Sequence, residues 1–211
     1  MLTITKECNM ALMARYPDKH FDLAIVDPPY GIGVTNMNMG GRKTVGPDKN
    51  KFWDSSVPDD TYFNELFRVS KNQIIWGGNY FNLTPSQYFA VWDKGETMYG
   101  RDFAEMEFAW VKSGGTRIFK KGPNQADRIH PTQKPVSLYQ WCLKQYAKKG
   151  DKILDTHLGS MSIAIACADY GFDLYGCELD TDYYNKGIER VKNHINQLGI
   201  FTEKTKLITN I

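Results

Sequence analysis

Short apolar runs alternate with amphipathic segments along most of the chain. Runs rich in β-branched and aromatic residues predict buried strands, and apolar residues three and four positions apart predict helices. The predicted strands lie at 2–5, 21–26, 73–76, 88–92, 108–111, 152–155 and 174–178. The predicted helices lie at about 9–15, 58–67, 136–147, 161–170 and 180–198.

This alternation predicts an α/β fold with a doubly wound, mostly parallel sheet. The connection between the strands at 88–92 and 108–111 is short, so these two are predicted to form an antiparallel pair. A chain of 211 residues is long enough to bury a sizeable core. We therefore expect one domain over 1–211.

Two segments interrupt the pattern. Residues 31–57 are rich in Gly, Asn, Lys and Arg, and long loops of this kind are usually functional or mobile. Residues 112–130 carry a basic run, which by itself is more typical of a solvated face than of a site. Beside a nucleobase site, both become candidate lid or target-recognition segments. The candidate nucleic-acid-binding residues are Arg42, Lys43, Arg117, Lys120, Lys121 and Arg128.

Composition narrows the class only slightly. Hydrophobic residues at 42% and charged residues at 24% are ordinary globular values, and a net charge of +2 leaves nucleic-acid binding to a local patch. The four cysteines lack CxxC spacing, which predicts buried free thiols in a reducing compartment. The scattered histidines give no metal-ligand spacing, so no metal is expected. With no membrane span or signal peptide, a cytoplasmic protein is predicted.

The sequence Asp27-Pro28-Pro29-Tyr30 follows the strand at 21–26. The prolines remove backbone donors and stiffen the turn, leaving the Asp27 carboxylate and the Pro28 carbonyl as acceptors beside an aromatic ring. Ligands bind at the carboxyl ends of strands in open α/β sheets. This turn suits a flat ligand with an exocyclic amino group, although a purely structural turn is equally compatible with these four residues.

Residues 152–178 form a strand–turn–helix–strand unit with an acid at each strand end, Asp155 and Glu178. The second acid is placed to accept hydrogen bonds from ribose hydroxyls. The turn has one glycine, Gly159, and lacks the three-glycine fingerprint that cradles a pyrophosphate. A nucleoside cofactor without phosphates fits better than a dinucleotide, and a plain α/β unit with incidental acids is the alternative.

Together these motifs resemble those of the S-adenosylmethionine-dependent amino-group DNA methyltransferases in which the catalytic motif precedes the cofactor motif. Asp27-Pro28-Pro29-Tyr30 resembles their catalytic tetrapeptide, and His130-Pro131-Thr132-Gln133-Lys134-Pro135 the segment before their cofactor-binding helix. Asp155-Thr156-His157-Leu158-Gly159-Ser160 is similar to their Asp-x-Phe-x-Gly-x-Gly loop, and Glu178 to their ribose-binding acid.

The resemblance implies a Rossmann-like class I methyltransferase fold with circularly permuted motif order. It also implies methyl transfer from S-adenosylmethionine to the N6 atom of a flipped adenine in DNA, because Asp leads the tetrapeptide whereas Ser often leads it in cytosine-N4 enzymes. The implied catalytic residues are Asp27, Pro28, Pro29 and Tyr30. The implied cofactor-binding residues are Asp27, Thr132, Gln133, Lys134, Pro135, Asp155, His157, Leu158, Gly159, Ser160 and Glu178.

The sequence departs from the family pattern at three positions. His157 replaces the usual Phe, Met161 replaces a second glycine, and Cys8 lies about where an acid often ends the strand beside the adenine ring. Cytosine-N4 or RNA methylation, or a nucleic-acid-binding paralogue with weak or no cofactor binding, are therefore kept as alternatives. A homodimer, which would present more surface to DNA, also stays open. Tyr80 or Phe81 could form a second wall for the base, although core positions are more typical.

Overall fold

The computed structural model describes residues 1–33, 54–100, 104–123, 127–198 and 205–210. These residues form a nine-stranded sheet in the order β6-β4-β5-β3-β2-β7-β8-β1-β9, with five α-helices. The strands are β1 (Leu2–Lys6), β2 (Phe21–Val26), β3 (Ser70–Trp76), β4 (Tyr88–Asp93), β5 (Met106–Val111), β6 (Arg117–Lys120), β7 (Lys152–Asp155), β8 (Asp173–Glu178) and β9 (Leu207–Thr209). The helices are α1 (Asn9–Ala14), α2 (Asp60–Val69), α3 (Val136–Tyr146), α4 (Ser162–Tyr170) and α5 (Thr181–Leu198).

Strand β5 is antiparallel to both of its neighbours, β3 and β4, while the other pairings are parallel. The prediction of a doubly wound, mostly parallel sheet with one antiparallel strand is confirmed. The predicted pairing of the strands near 88–92 and 108–111 is confirmed as well, with Ala90 opposite Ala109.

Helices cover the sheet on both faces. Leu12 of α1 and Leu66 of α2 pack with Val26 in one apolar cluster, whereas Leu138 of α3 and Ile163 of α4 pack with Ile25 in the other. Successive residues of a strand point to opposite faces, so one strand feeds both cores. Among the described residues, no helix has both the length and the apolar character that crossing a membrane requires.

The two outermost strands were absent from the sequence prediction. Strand β6 lies inside the segment at 112–130, which the sequence predicts as a loop, and it pairs in parallel with β4. Four residues with a basic residue at each end give little alternation, and charged ends are typical of edge strands. Strand β9, in a tail with no predicted structure, pairs with β1. The expectation that all four cysteines are buried is wrong for Cys8, which is exposed.

The crevice for a ligand lies where the chain winds in two directions. From β2 the chain passes through α2 to β3, and from the neighbouring β7 it passes through α4 to β8 on the opposite side. In open α/β sheets such a switch point opens a crevice at the carboxyl ends of the strands. Asp27 follows β2 and Asp155 ends β7, so both acids border this crevice.

Candidate active site

The turn at 27–30 is fastened by hydrogen bonds to side chains. The backbone N–H groups of Tyr30 and Gly31 donate to Oδ1 of the buried Asp54, at 2.8 and 3.0 Å. The Tyr30 hydroxyl donates to Oδ1 of Asp27 at 2.6 Å. Since the prolines cannot donate, these contacts fix the turn where a sheet ladder would otherwise continue.

Gly77 makes room for the Tyr30 ring. Its φ of +71° lies in the left-handed region, and a Cβ added there would lie 2.2 Å from a ring carbon of Tyr30. On the ring, Tyr80 stacks with a centroid distance of 4.9 Å and an interplanar angle of 14°. Tyr80 is 44% exposed, so the core position that the sequence favoured for it is wrong.

Lys134 joins the second sequence motif to the first. Its Nζ lies 2.6 Å from Oδ2 of Asp27, 3.0 Å from the Tyr30 hydroxyl and 3.1 Å from Oε2 of Glu107. Glu107 also accepts from Nζ of Lys94, at 2.9 Å. The Lys134 side chain is only 2% exposed, so its charge is buried and compensated by two carboxylates.

Burial and ion pairing act in opposite directions in this cluster. For Asp27, burial outweighs the nearby Lys134 ammonium, so the pKa of the carboxyl is raised. For Glu107, burial raises the pKa but the Lys134 and Lys94 ammonium groups lower it further, to about 2. For Lys134, burial lowers the pKa but the two carboxylates raise it above its usual value. Glu107 and Lys134 are therefore charged at neutral pH.

The cofactor-half acids accept backbone hydrogen bonds at the same edge of the sheet. Oδ1 of Asp155 accepts from the N–H of His157 at 2.9 Å. The two oxygens of Glu178 accept from the N–H groups of Gly159 and Asp180, each at 2.8 Å. Thus Glu178 binds the tip of the turn that follows β7, and the predicted strand–turn–helix–strand unit is closed at its ligand edge.

Burial raises the pKa of both acids. The pKa of Asp155 rises to about 8, with the nearby Asp27 and Glu178 carboxylates adding to the effect of burial. The pKa of Glu178 is raised as well, although its backbone hydrogen bonds oppose the shift. A site where acids gather under low solvation favours a cationic ligand, because a positive charge would offset their repulsion.

His157 fills the position of the usual Phe by means of polar partners. Nδ2 of Asn9 lies 3.0 Å from its Nε2, and Oγ1 of Thr156 lies 3.0 Å from its Nδ1. The Tyr62 ring packs edge-on against the imidazole, with the centroids 5.2 Å apart. Burial lowers the pKa of His157 to about 4, so the ring is neutral at physiological pH.

Met161 caps α4 in the left-handed conformation, with φ of +59°, where a glycine would be unstrained. Its side chain is fully buried and lies against Gly187 of α5: a Cβ added at Gly187 would be 2.7 Å from Cγ and Sδ of Met161. The absent side chain at 187 makes room for the extra one at 161. The methionine is thus part of the core beneath the turn.

The segment at 130–135 builds its own turn. Nδ1 of His130 lies 3.1 Å from Oγ1 of Thr132, and Oε1 of Gln133 accepts from the N–H of Ile129 at 2.9 Å. The His130 ring packs against Tyr183 with centroids 4.2 Å apart. These contacts set the direction from which Lys134 reaches Asp27. Leu158 and Ser160, the remaining cofactor-half candidates, are buried in the turn after β7.

The basic candidates differ in how freely they are presented. Arg117 and Lys120 are exposed on β6, and Lys120 lies 3.3 Å from Oε1 of the exposed Glu96. Nζ of Lys121 donates to Oγ of Ser137 at 2.9 Å. Arg128 is half-buried, and burial lowers the pKa of its guanidinium. Arg42 and Lys43 lie outside the described residues.

Sequence reasoning missed three residues of this site: Asp54, Lys94 and Glu107. No motif marks them, and each reaches the 27–30 turn through tertiary packing from a distant segment. Glu107 does carry a weak signal, since it is a lone acid within the otherwise apolar strand at 106–111.

Comparison with known proteins agrees with this geometry. A family model described as DNA methylase, covering N6 and N4 amino-methyltransferases, matches residues 85–189. YubD of Escherichia coli (strain K12) is 24% identical over 202 residues, covering 85% of this chain and 86% of YubD. The M1.HpyAVI–SAM complex is similar in structure, with a TM-score of 0.61, 16% identity and coverage of 90% of this chain and 99% of that chain. The cytosine-N4-specific PvuII DNA methyltransferase has the same TM-score, 0.61, with 11% identity and coverage of 98% and 94%.

The fold is therefore the Rossmann-like fold of the DNA methyltransferases. The chain belongs to the amino-group DNA methyltransferase family, the class whose members methylate adenine N6 or cytosine N4.

The buried neutral His157 should make stability depend on pH. Its native pKa of about 4 lies below the unfolded value near 6.5, so only the unfolded chain takes up a proton as pH falls between these values. We expect this to remove up to about 3 kcal/mol of stability between pH 6.5 and 4. His157→Phe should flatten that loss in urea unfolding at pH 7.5 and 5.0. An unchanged pH dependence would contradict the assignment.

Met161→Gly should weaken the fold without affecting cofactor binding. Emptying a buried methionine site costs about 2–5 kcal/mol, and releasing the left-handed strain returns about 1–2 kcal/mol. We expect a net loss in the free energy of unfolding, measured by urea titration, and an S-adenosylmethionine affinity within threefold of wild type by calorimetry. Unchanged stability together with tighter binding would instead place the side chain in the cofactor's path.

Proposed function

We propose that the protein transfers a methyl group from S-adenosylmethionine to the exocyclic N6 of adenine in DNA. The observation that carries this proposal is the position of Asp27 beside the cofactor-half acids. Asp27 follows β2, Asp155 ends the adjacent β7, and Glu178 ends β8 next to β7. Three parallel strands thus bring an amine-accepting turn and a nucleoside-binding turn to one edge of the sheet.

The residues present fit S-adenosylmethionine. Asp155 and Glu178 supply carboxylates at the turn after β7, suited to a cationic group and to ribose hydroxyls, and Gly159 makes the turn with φ of +49°. We assign cofactor contacts to this turn at 155–160, to Glu178 and to the segment at 132–135, with Asp27 facing the transferred group. When bound, the cofactor supplies an electrophilic methyl group on a sulfonium.

The chain's own chemistry acts on the amino group. The exocyclic nitrogen of adenine is a poor nucleophile because its lone pair is delocalised into the ring. Hydrogen bonds from its two N–H groups to the Asp27 carboxylate and the Pro28 carbonyl would favour a pyramidal nitrogen with a localised lone pair. Such contacts strengthen as charge develops, which is the condition for catalysis. Pro29 keeps the turn stiff and donor-poor.

A base inside a duplex cannot reach this turn, so the proposal includes base flipping. Tyr30 would stack on the extruded base, and Tyr80, already parallel to Tyr30, is the proposed second aromatic surface. Since the two rings lie 4.9 Å apart, a base cannot fit between them unless Tyr80 moves. The base otherwise stacks on the outer face of the pair.

The choice of adenine rests on Asp27 at the head of the tetrapeptide. The PvuII enzyme, whose printed description is cytosine-N4-specific, has the same fold, so the fold is compatible with either base. Digestion of methylated DNA to nucleosides and mass spectrometry distinguishes the products. N6-methyladenine supports the proposal, and N4-methylcytosine replaces it with the alternative.

Asp27→Asn should abolish most methyl transfer, since the amide presents N–H donors where an acceptor is needed. We expect a fall of about 10²–10³-fold in kcat, comparable to the loss of one preorganised electrostatic partner. The assay is transfer of labelled methyl from S-adenosylmethionine to DNA. Asp22→Asn is the matched control, because it makes the same substitution at the opposite end of the same strand. Wild-type turnover in the folded Asp27 variant would refute the role.

DNA binding is assigned in part to the basic residues near β6. Replacing Lys120 and Lys121 with Ala should reduce the slope of log affinity against log salt concentration by up to about 1.8, because each lost phosphate contact contributes about 0.9. Lys148→Ala with Lys149→Ala is the control, since these exposed lysines precede β7 at the opposite edge of the sheet. An unchanged slope would return Lys120 and Lys121 to an ordinary solvated surface. RNA competitors in the same titration test the alternative substrate class.

A nucleic-acid-binding paralogue without cofactor is the second candidate, motivated by Cys8. Glu7, beside it, is engaged with Arg15 at 2.7 Å, so neither residue offers an uncommitted carboxylate for the adenine ring of a cofactor. Calorimetry with S-adenosylmethionine decides: absence of heat at millimolar concentration favours the paralogue. Light scattering at the same concentrations tests the proposed homodimer.

A further inference from the structure

Four charged side chains alternate in sign along a line that ends at the turn at 27–30. Lys94 contacts Glu107 at 2.9 Å, Glu107 contacts Lys134 at 3.1 Å, and Lys134 contacts Asp27 at 2.6 Å. The two cations and two anions balance. We refer to Lys94, Glu107, Lys134 and Asp27 as the charge chain.

The charge chain is assembled from four segments. Glu107 is on the antiparallel strand β5, opposite Trp92 of β4, and Lys94 follows β4 directly. Lys134 precedes α3, and Asp27 follows β2. Thus the antiparallel hairpin of β4 and β5, which carries no family motif, reaches into the proposed active site through one carboxylate.

Glu107 completes the coordination of the Lys134 ammonium. An ammonium has three N–H donors, and Lys134 has three oxygen partners within 3.1 Å: Asp27, Tyr30 and Glu107. A lysine side chain has four rotatable carbons and holds no fixed direction by itself. With Glu107 on one side, Nζ is held against both oxygens of the 27–30 turn.

We propose that Glu107 is a positioning residue for methyl transfer: it fixes the Lys134 ammonium against Asp27 and Tyr30 and thereby sets the orientation and charge balance of the acceptor carboxylate. This inference rests on the proposed function of Asp27. Glu107 does not touch the substrate amine in this role.

Charge balance gives the role a second consequence. The groups that bear electrostatically on Asp27 are Lys134, Glu107, Tyr30 and Asp155. Among them, Lys134 draws the Asp27 pKa down, and the Glu107 carboxylate offsets that effect. Removing the Glu107 charge should therefore lower the pKa of Asp27 and weaken it as a hydrogen-bond acceptor.

Glu107→Gln is the test, with DNA methyl transfer as the assay. We expect kcat to fall about tenfold or more, with the affinity for S-adenosylmethionine within twofold of wild type. We also expect the acid limb of the kcat pH profile to move to lower pH, which a merely structural loss of folded protein would not produce. Glu105→Gln is the matched control, because Glu105 contacts the backbone of Gly100 and not the charge chain.

Glu107→Asp separates charge from reach. It keeps the anion but shortens the side chain, so kcat should fall while the acid limb stays at its wild-type pH. This variant carries the test if Glu107→Gln does not fold. Wild-type kcat and an unmoved acid limb in folded Glu107→Gln, or wild-type kcat in Glu107→Asp, would overturn the inference.

Carboxyl-carbon NMR titration of Asp27 in the protein without DNA provides a readout independent of activity. A lower Asp27 pKa in Glu107→Gln than in wild type supports the charge chain, and an equal value overturns it. Failure of the wild-type protein to methylate DNA would instead refute the proposed function, so the two failures are distinguishable.

Discussion

The contact on which the site depends is the pair of Lys134 and Asp27, whose charged atoms are 2.6 Å apart although the residues are 107 positions apart in sequence. Burying two ions costs several kcal/mol each, and their attraction repays this only when the remaining donors and acceptors are also satisfied. Here Tyr30 and Glu107 satisfy them. Because such a pair contributes little net stability, its presence in the crevice is better explained by what it holds in place.

The pair depends in turn on sheet topology. Parallel strands present their carboxyl ends at one edge, so Asp27, Asp155 and Glu178 meet there without needing sequence proximity. The gathering of acids raises the pKa of Asp155 to about 8 and raises that of Glu178. A cationic cofactor would relieve this repulsion, and the same argument explains why the third acid, Glu107, is accompanied by two lysines.

The departures from the family pattern are accommodated by neighbouring residues. His157 occurs with Asn9 and Thr156, which supply the polar contacts that a phenylalanine would not need. Met161 occurs with Gly187, which vacates the volume that the longer side chain fills. Each substitution is compensated across the fold, so a local motif comparison overstates how far the cofactor turn has changed.

The sequence by itself determined the α/β class, seven of the nine strands, the five helices and the two motif-bearing edges, because buried strands and amphipathic helices impose periods that can be counted. It did not reveal β6 and β9, since short edge strands with charged or polar neighbours lack a distinctive period. Only the tertiary structure decided that Lys134 contacts Asp27, that Glu107 and Lys94 extend this contact, and that Met161 is directed into the core. These outcomes depend on strand order and on which face each side chain occupies, and neither quantity is local in sequence.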